Sequence, residues 1–179
     1  MLSDSLQFDG NGNGVQISWN FEGFLYGAGY IEQDTLKKGR WKYYFEDGKL
    51  LATEDYVNGK KINCGCYDSS GNALDTFLCK VTPCKPPTNW NQFLKDSLRI
   101  SQLSANGVPD GMYIVLVHFI VDEEGNLTQI TPATKYGHGL EEEAVRVIKL
   151  SPKWTPTVQF GHKVKTLVLF PVTITIGPH

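Results

Sequence analysis

Four cysteines, Cys64, Cys66, Cys79 and Cys84, lie close together in a chain of 179 residues, and their thiols are the groups most able to do chemistry. Four nearby thiols allow three disulfide connectivities or one four-ligand metal site. Cys64 and Cys66 are alternate residues of a predicted strand, so a bond between them would strain disulfide geometry. That leaves cross-pairing to Cys79 and Cys84, with one disulfide, free thiols or a zinc site as the alternatives. The Cys-x-Cys spacing argues against zinc, whose paired ligands usually stand two to four residues apart. A thioredoxin-like role needs Cys-x-x-Cys at a helix start, which neither pair provides.

Glu141-Glu142-Glu143 invite a metal or acid–base reading. Consecutive helical residues point about 100° apart and cannot converge, so the reading is a solvated helix start whose charge suits the dipole. His118, His138, His162 and His179 fall on unrelated elements, with no serine or carboxylate at a recognisable spacing. No catalytic residue, metal ligand set or cofactor is therefore expected, and the chain reads as a non-enzyme.

The elements that carry these residues differ between the two halves. In the second half, Trp90, Phe93, Leu94 and Leu98 recur at helical spacing, with Asn89 or Asn91 available as N-cap. Residues 112–121 alternate, so that Tyr113, Val115, Val117, Phe119 and Val121 share one strand face and Ile114, Leu116, His118 and Ile120 the other. Both faces are largely apolar, which predicts a cover on the second face: a partner subunit, the N-terminal region or a helix. Asp122 to Asn126 form a turn with Gly125 at positive φ, and Leu127–Thr131 returns antiparallel. A helix follows with Leu140, Ala144, Val147 and Ile148 as its buried stripe. The last strand, roughly 164–176, carries Pro171 in its middle, and a residue without an N–H predicts a sheet edge.

In the first half, residues 39–51 alternate aromatic and polar side chains up to Asp47-Gly48, the pattern of a strand entering a hairpin. Twenty-three residues on, Tyr67, Gly71 and Leu74 fall where Tyr44, Gly48 and Leu51 fall, a two-copy repeat. Tyr56 to Lys60 add another strand end and turn, and Gly29–Gly39 a partial earlier unit. The region reads as a short β-meander too small to be stable uncovered. The segment Lys80 to Thr88, with three prolines, reads as a short stiff linker spanning at most about 30 Å.

The predicted organisation is therefore a repeat β region over 1–78, a Cys- and Pro-rich linker over 79–88, and a second domain over 89–179. A formal net charge of −2 gives no electrostatic footprint for nucleic acid. No apolar run reaches the roughly 18 to 20 residues a membrane helix needs, and residues 1–20 are too polar for a signal-peptide core.

Two resemblances attach to these patterns. Residues 23–75 resemble the variant MORN repeats of exported bacterial proteins, with Gly39-Arg40-Trp41-Lys42-Tyr43-Tyr44, Gly48, Leu50 and Tyr56 to Lys60 carrying the likeness. The second copy departs from it: Ile62 replaces the glycine, and Cys64 and Cys66 stand where Trp41 and Tyr43 stand. Covalent links replacing aromatic packing and simple repeat decay both account for that. Residues 88–176 resemble the C-terminal domain of TonB, the periplasmic energy transducer of Gram-negative bacteria. The likeness rests on Val117 to Asp122, Gly125, Gly139 to Val147, Pro152-Lys153-Trp154-Thr155-Pro156, Gly161 to Val164 and Phe170 to Ile174.

The resemblance implies an α+β chain: a β-meander of MORN-like hairpins, then a TonB-like domain with a three-stranded antiparallel sheet packed on helices. It also implies a periplasmic or cell-envelope setting, with an export signal or anchor ahead of Met1. The implied partner is an outer-membrane transporter or another envelope protein, whose segment adds as a strand to the edge of the last strand. Lys165, Thr166, Val168, Thr173 and Thr175 are the candidate docking residues, and a homodimer through the same edge is the alternative. Full transducers carry an inner-membrane helix and a long Pro-rich spacer. Neither is found in these residues, so either an anchor lies upstream or the domain serves binding alone.

Overall fold

The computed structural model describes residues 3–177, which form two compact units. The first comprises the residues up to Val81 together with Val158–His162; the second comprises Thr82–Thr157 and the residues from Lys163 onward. Met1 and His179 lie outside the described residues. This division differs from the one read along the sequence, because the short segment 158–162 belongs to the first unit although it lies far along the chain.

The first unit is a six-stranded antiparallel meander in sequential order: β1 (Ser3–Phe8), β2 (Gly14–Trp19), β3 (Leu25–Glu32), β4 (Leu36–Tyr44), β5 (Leu50–Val57) and β6 (Lys60–Cys66). It starts two strands earlier than the repeat pattern indicates. The polar Asp9 to Asn13 segment is the β1–β2 turn, closed by the Asp9 carboxylate accepting from the Asn11 and Asn13 amides at 2.9 Å. Alternation places Trp41 and Tyr43 of β4 on the buried face with Ile31, Leu51, Ala52, Cys66, Cys79 and Phe160. Gly29 is fixed by close approach, since a Cβ there would lie 2.2 Å from the Trp41 ring. Phe160 closes this core from position 160, with its ring 5.1 Å from that of Tyr43. A 3-10 turn, Thr76–Leu78, carries the chain back toward β6 and is capped by the Asp75 carboxylate.

In the second unit α1 (Trp90–Ser97) and a separate short α2 (Ile100–Ala105) precede β8 (Gly111–Val121), β9 (Leu127–Pro132), α3 (Leu140–Leu150) and β12 (Thr166–Ile176). Asn89 is the α1 N-cap, although its side chain makes no capping hydrogen bond. The sheet order is β12-β8-β9, all antiparallel, with Thr166 opposite Val121 and Ile176 opposite Gly111 along an unbroken register. Val115, Val117, Phe119 and Val121 of β8 and Val172, Ile174 and Ile176 of β12 are buried on the inner face, against Leu140, Ala144 and Ile148 of α3. Trp154, from the Pro-x-Trp-x-Pro segment, sits in an aromatic group with Trp90, Phe119 and Phe170 at centroid distances of 5.6, 5.1 and 4.9 Å. Three short strands, β7 (Val81–Thr82), β10 (Thr157–Gln159) and β11 (His162–Val164), form a further sheet in the order β11-β10-β7. Within the proline-rich segment Lys85 pairs antiparallel with Thr155 through hydrogen bonds of 3.0 and 2.9 Å. Among the described residues no helix is long and apolar enough to cross a membrane.

Candidate functional site

Strand β12 is an edge of its sheet, as a mid-strand proline requires, and no strand pairs with its outer side among the described residues. Alternate residues of this eleven-residue strand therefore turn backbone groups to one open side, where Pro171 supplies a carbonyl but no N–H. The two faces of the strand differ. Val168, Phe170, Val172, Ile174 and Ile176 turn to the core, while Leu167, Leu169, Pro171, Thr173 and Thr175 are exposed on the other face. Across from them on β8, Ile114 faces Thr173 and Met112 faces Thr175. Met112 is 69% and Leu169 50% exposed, so this end of the outer face remains open, although alternation in β8 predicted a cover. Ile120, at the other end, is buried.

The five docking candidates fall in three settings. Lys165 is an exposed residue just before β12. Thr166 is half-buried, and its hydroxyl donates to Thr157 Oγ1 at 2.7 Å, which also accepts from the Cys84 amide at 3.1 Å. It anchors the start of the strand. Val168 packs on the core, and Thr173 and Thr175 are exposed on the outer face. Leu167 and Leu169, exposed between them, are the residues the sequence reading passed over. Their signal was the same period of two that placed Thr173 and Thr175.

The three glutamates of α3 do not form one solvated patch. Glu141 and Glu143 are buried, and only Glu142 is exposed. The Glu141 carboxylate accepts from the Tyr136 and Gly137 amides, ordering the turn before the helix. Glu143 accepts from the Arg99 amide at 2.7 Å and from Arg146 Nε and Nη2 at 2.8 and 2.7 Å. Hydrogen bonds from Arg146 hold its carboxyl below the usual range, more than offsetting its burial. Burial follows because the loops ahead of the helix present unpaired N–H groups that carboxylates can satisfy.

The densest polar network lies in the first unit. The buried Glu54 carboxylate accepts from Tyr43 and Tyr56 hydroxyls at 2.7 Å and from Lys61 Nζ at 2.9 Å. Lys37 Nζ donates to the Tyr43 hydroxyl at 2.7 Å and stands 4.3 Å from the Trp41 ring centroid. Burial lowers the Lys37 ammonium and raises the Tyr43 phenol, whose proton is further held by Glu54. Both tyrosine hydroxyls and both ammonium groups thus find an internal partner, and the network ties β4, β5 and β6 together.

His118 lies on β8, His138 before α3, and His162 on β11 with Nε2 3.0 Å from the Tyr67 carbonyl. Among the described residues no group of three or more His, Cys, Asp or Glu side chains is placed to hold a metal ion. The four cysteines are free thiols. Cys64, Cys66 and Cys79 share the first unit's core, and Cys84 packs on the second's.

An antiparallel β12-β8-β9 sheet backed by α3 with an open terminal strand defines a small α+β fold. Residues 114–175 match the family described as Gram-negative bacterial TonB protein C-terminal. The match runs from β8 to β12, so this part of the second unit is similar to that family's domain. No curated protein and no solved structure matches the chain.

Proposed function

We propose that the chain is a periplasmic, non-enzymatic TonB-like protein that captures a partner segment by strand addition to the open edge of β12. The observation that carries this reading is an eleven-residue edge strand, unpaired on its outer side among the described residues, within the matched domain. Main-chain hydrogen bonds supply much of the affinity in such a complex, and alternating side chains set its register. Leu167 and Leu169 offer apolar contacts to every second residue of an incoming strand, and Thr173 and Thr175 polar ones. An extended segment of an outer-membrane transporter is the partner that the family match favours. The first unit is read as variant MORN-type repeats.

Titration of the whole chain with peptides from the periplasmic N-terminal segments of outer-membrane transporters tests it. Backbone NMR should show shifts concentrated in residues 164–176, with the β9 edge unchanged. Shifts at β9 alone, or none, would remove the proposal. Sedimentation at high concentration separates it from self-association through the same edge, which predicts a dimer that the peptide dissociates.

A further inference from the structure

Three of the four cysteines converge on one point of the first unit. Cys64 and Cys66 are alternate residues of β6, paired in register with Glu54 and Ala52, so their side chains leave the same face of the sheet. The intervening Gly65 faces the other way, toward the Thr53 hydroxyl and Tyr67. Beyond β6 the chain doubles back: the Leu74 amide donates to the Cys66 carbonyl at 2.8 Å, and the 3-10 turn ends at Cys79. Cys66 Sγ donates to the Asp75 carbonyl at 3.6 Å, and Cys66 and Cys79 are buried in one core against which Cys64 packs. Cys66 and Cys79 are buried, whereas Cys64 is half-exposed and acts electrostatically on the Lys61 ammonium. Cys84 belongs to the other core.

From this juxtaposition we infer that Cys64, Cys66 and Cys79 form a thiol–disulfide exchange site, in which Cys79 is the shared partner and Cys64 the point of entry for an external disulfide. The Cys64 thiolate attacks one sulfur of the external disulfide, forming a mixed disulfide and releasing one thiolate. Cys79 gives its proton to solvent and attacks Cys64 Sγ, closing the Cys64–Cys79 bond and expelling the second thiolate. One external disulfide is thereby reduced to two thiols, and two protein thiols are oxidised to one disulfide. The remaining thiol, Cys66, gives its proton to the departing Cys64 thiolate as it attacks Cys79 Sγ, so the Cys64–Cys79 bond breaks, a Cys66–Cys79 bond forms at a buried position, and no further oxidant is needed. Burial raises the Cys79 thiol, so it is a poor first nucleophile and enters the sequence second. A direct Cys64–Cys66 bond between alternate strand residues is disfavoured by disulfide geometry.

The test is exposure of the folded full chain to oxidised glutathione, followed by alkylation and peptide mapping without reductant. The expected result is the loss of two of the four free thiols, with Cys79 in every intrachain disulfide and Cys84 still alkylated. Cys66→Ala should give Cys64–Cys79 and Cys64→Ala should give Cys66–Cys79, the latter more slowly because its entry thiol is gone. Cys79→Ala should form no intrachain disulfide and hold glutathione at Cys64. Four free thiols in the oxidised wild type, a disulfide that includes Cys84, or an intrachain bond in folded Cys79→Ala would each overturn the assignment. Should Cys79→Ala fail to fold, the two single variants on β6 still decide it.

Discussion

At Glu54, three donors meet one buried carboxylate, and the balance of forces there sets a pH dependence. Burial by itself would raise this carboxyl, but hydrogen bonds from Lys61, Tyr43 and Tyr56 and the charge of Lys61 outweigh it and hold it below the ordinary glutamate value of 4.5. A carboxyl depressed in the folded state adds stability that is fully present above its unfolded value and is lost as pH falls through its folded value. Glu54→Gln should therefore destabilise the first unit by about 1–3 kcal/mol at neutral pH. The gap between variant and wild type should close as the pH falls below 4.5 toward the folded value, measured by urea unfolding at a series of pH values. A gap that stays constant with pH would mean that packing, not charge, is what Glu54 provides. Little of this was legible in sequence. Glu54 reads there as an ordinary polar residue on a strand, and only the fold brings Tyr43 of β4 and Lys61 of β6 to either side of it. The same holds for Glu141 and Glu143, whose amide partners at residues 136–137 and 99 become visible only once the loops close.

Among the elements, the turn after β8 shows how a local signal can carry a tertiary requirement. Gly125, at φ 82°, was readable as a turn glycine, since a left-handed residue closes the hairpin. The structure adds that a Cβ there would lie 2.0 Å from the Trp154 carbonyl oxygen, while the Trp154 amide donates to the Gly125 carbonyl at 2.9 Å. Gly137 has the same φ of 82° but nothing within 4 Å of a Cβ. Gly137→Ala should accordingly cost only the left-handed strain, about 1 kcal/mol. Gly125→Ala should cost about 3 kcal/mol or more, because backbone must also move, and thermal unfolding of the two variants side by side checks the difference. The docking candidates drawn from β12 mixed its two faces, core-packed Val168 beside exposed Thr173 and Thr175, whereas the apolar run and Pro171 gave the strand and its edge position, a local consequence of a missing N–H. They did not give the exposure of Leu167 and Leu169, which depends on what other elements leave uncovered.

For the whole molecule, the notable feature is that the first unit is completed by residues 158–162. Phe160 is buried beside Tyr43 and its amide donates to the Lys80 carbonyl at 2.9 Å. Phe160→Ala should destabilise the first unit by about 3–5 kcal/mol. Hydrogen exchange should then show protection lost in β4–β6 before β8 and β12; loss confined to β8 and β12 would contradict the assignment of Phe160 to the first core. By itself the sequence determined the class of fold, the strand entering its turn over 39–51, the hairpin over 112–131, the helix stripe of α3 and the likeness that the family match over residues 114–175 supports, because periodicity, turn glycines and prolines act over a few residues. Tertiary structure alone decided that segment 158–162 serves the first core, that two of three glutamates are buried, and that Cys79 shares a core with Cys64 and Cys66 while Cys84 lies in the other core. Those outcomes depend on contacts between residues far apart in the chain, for which spacing along the sequence carries no signal.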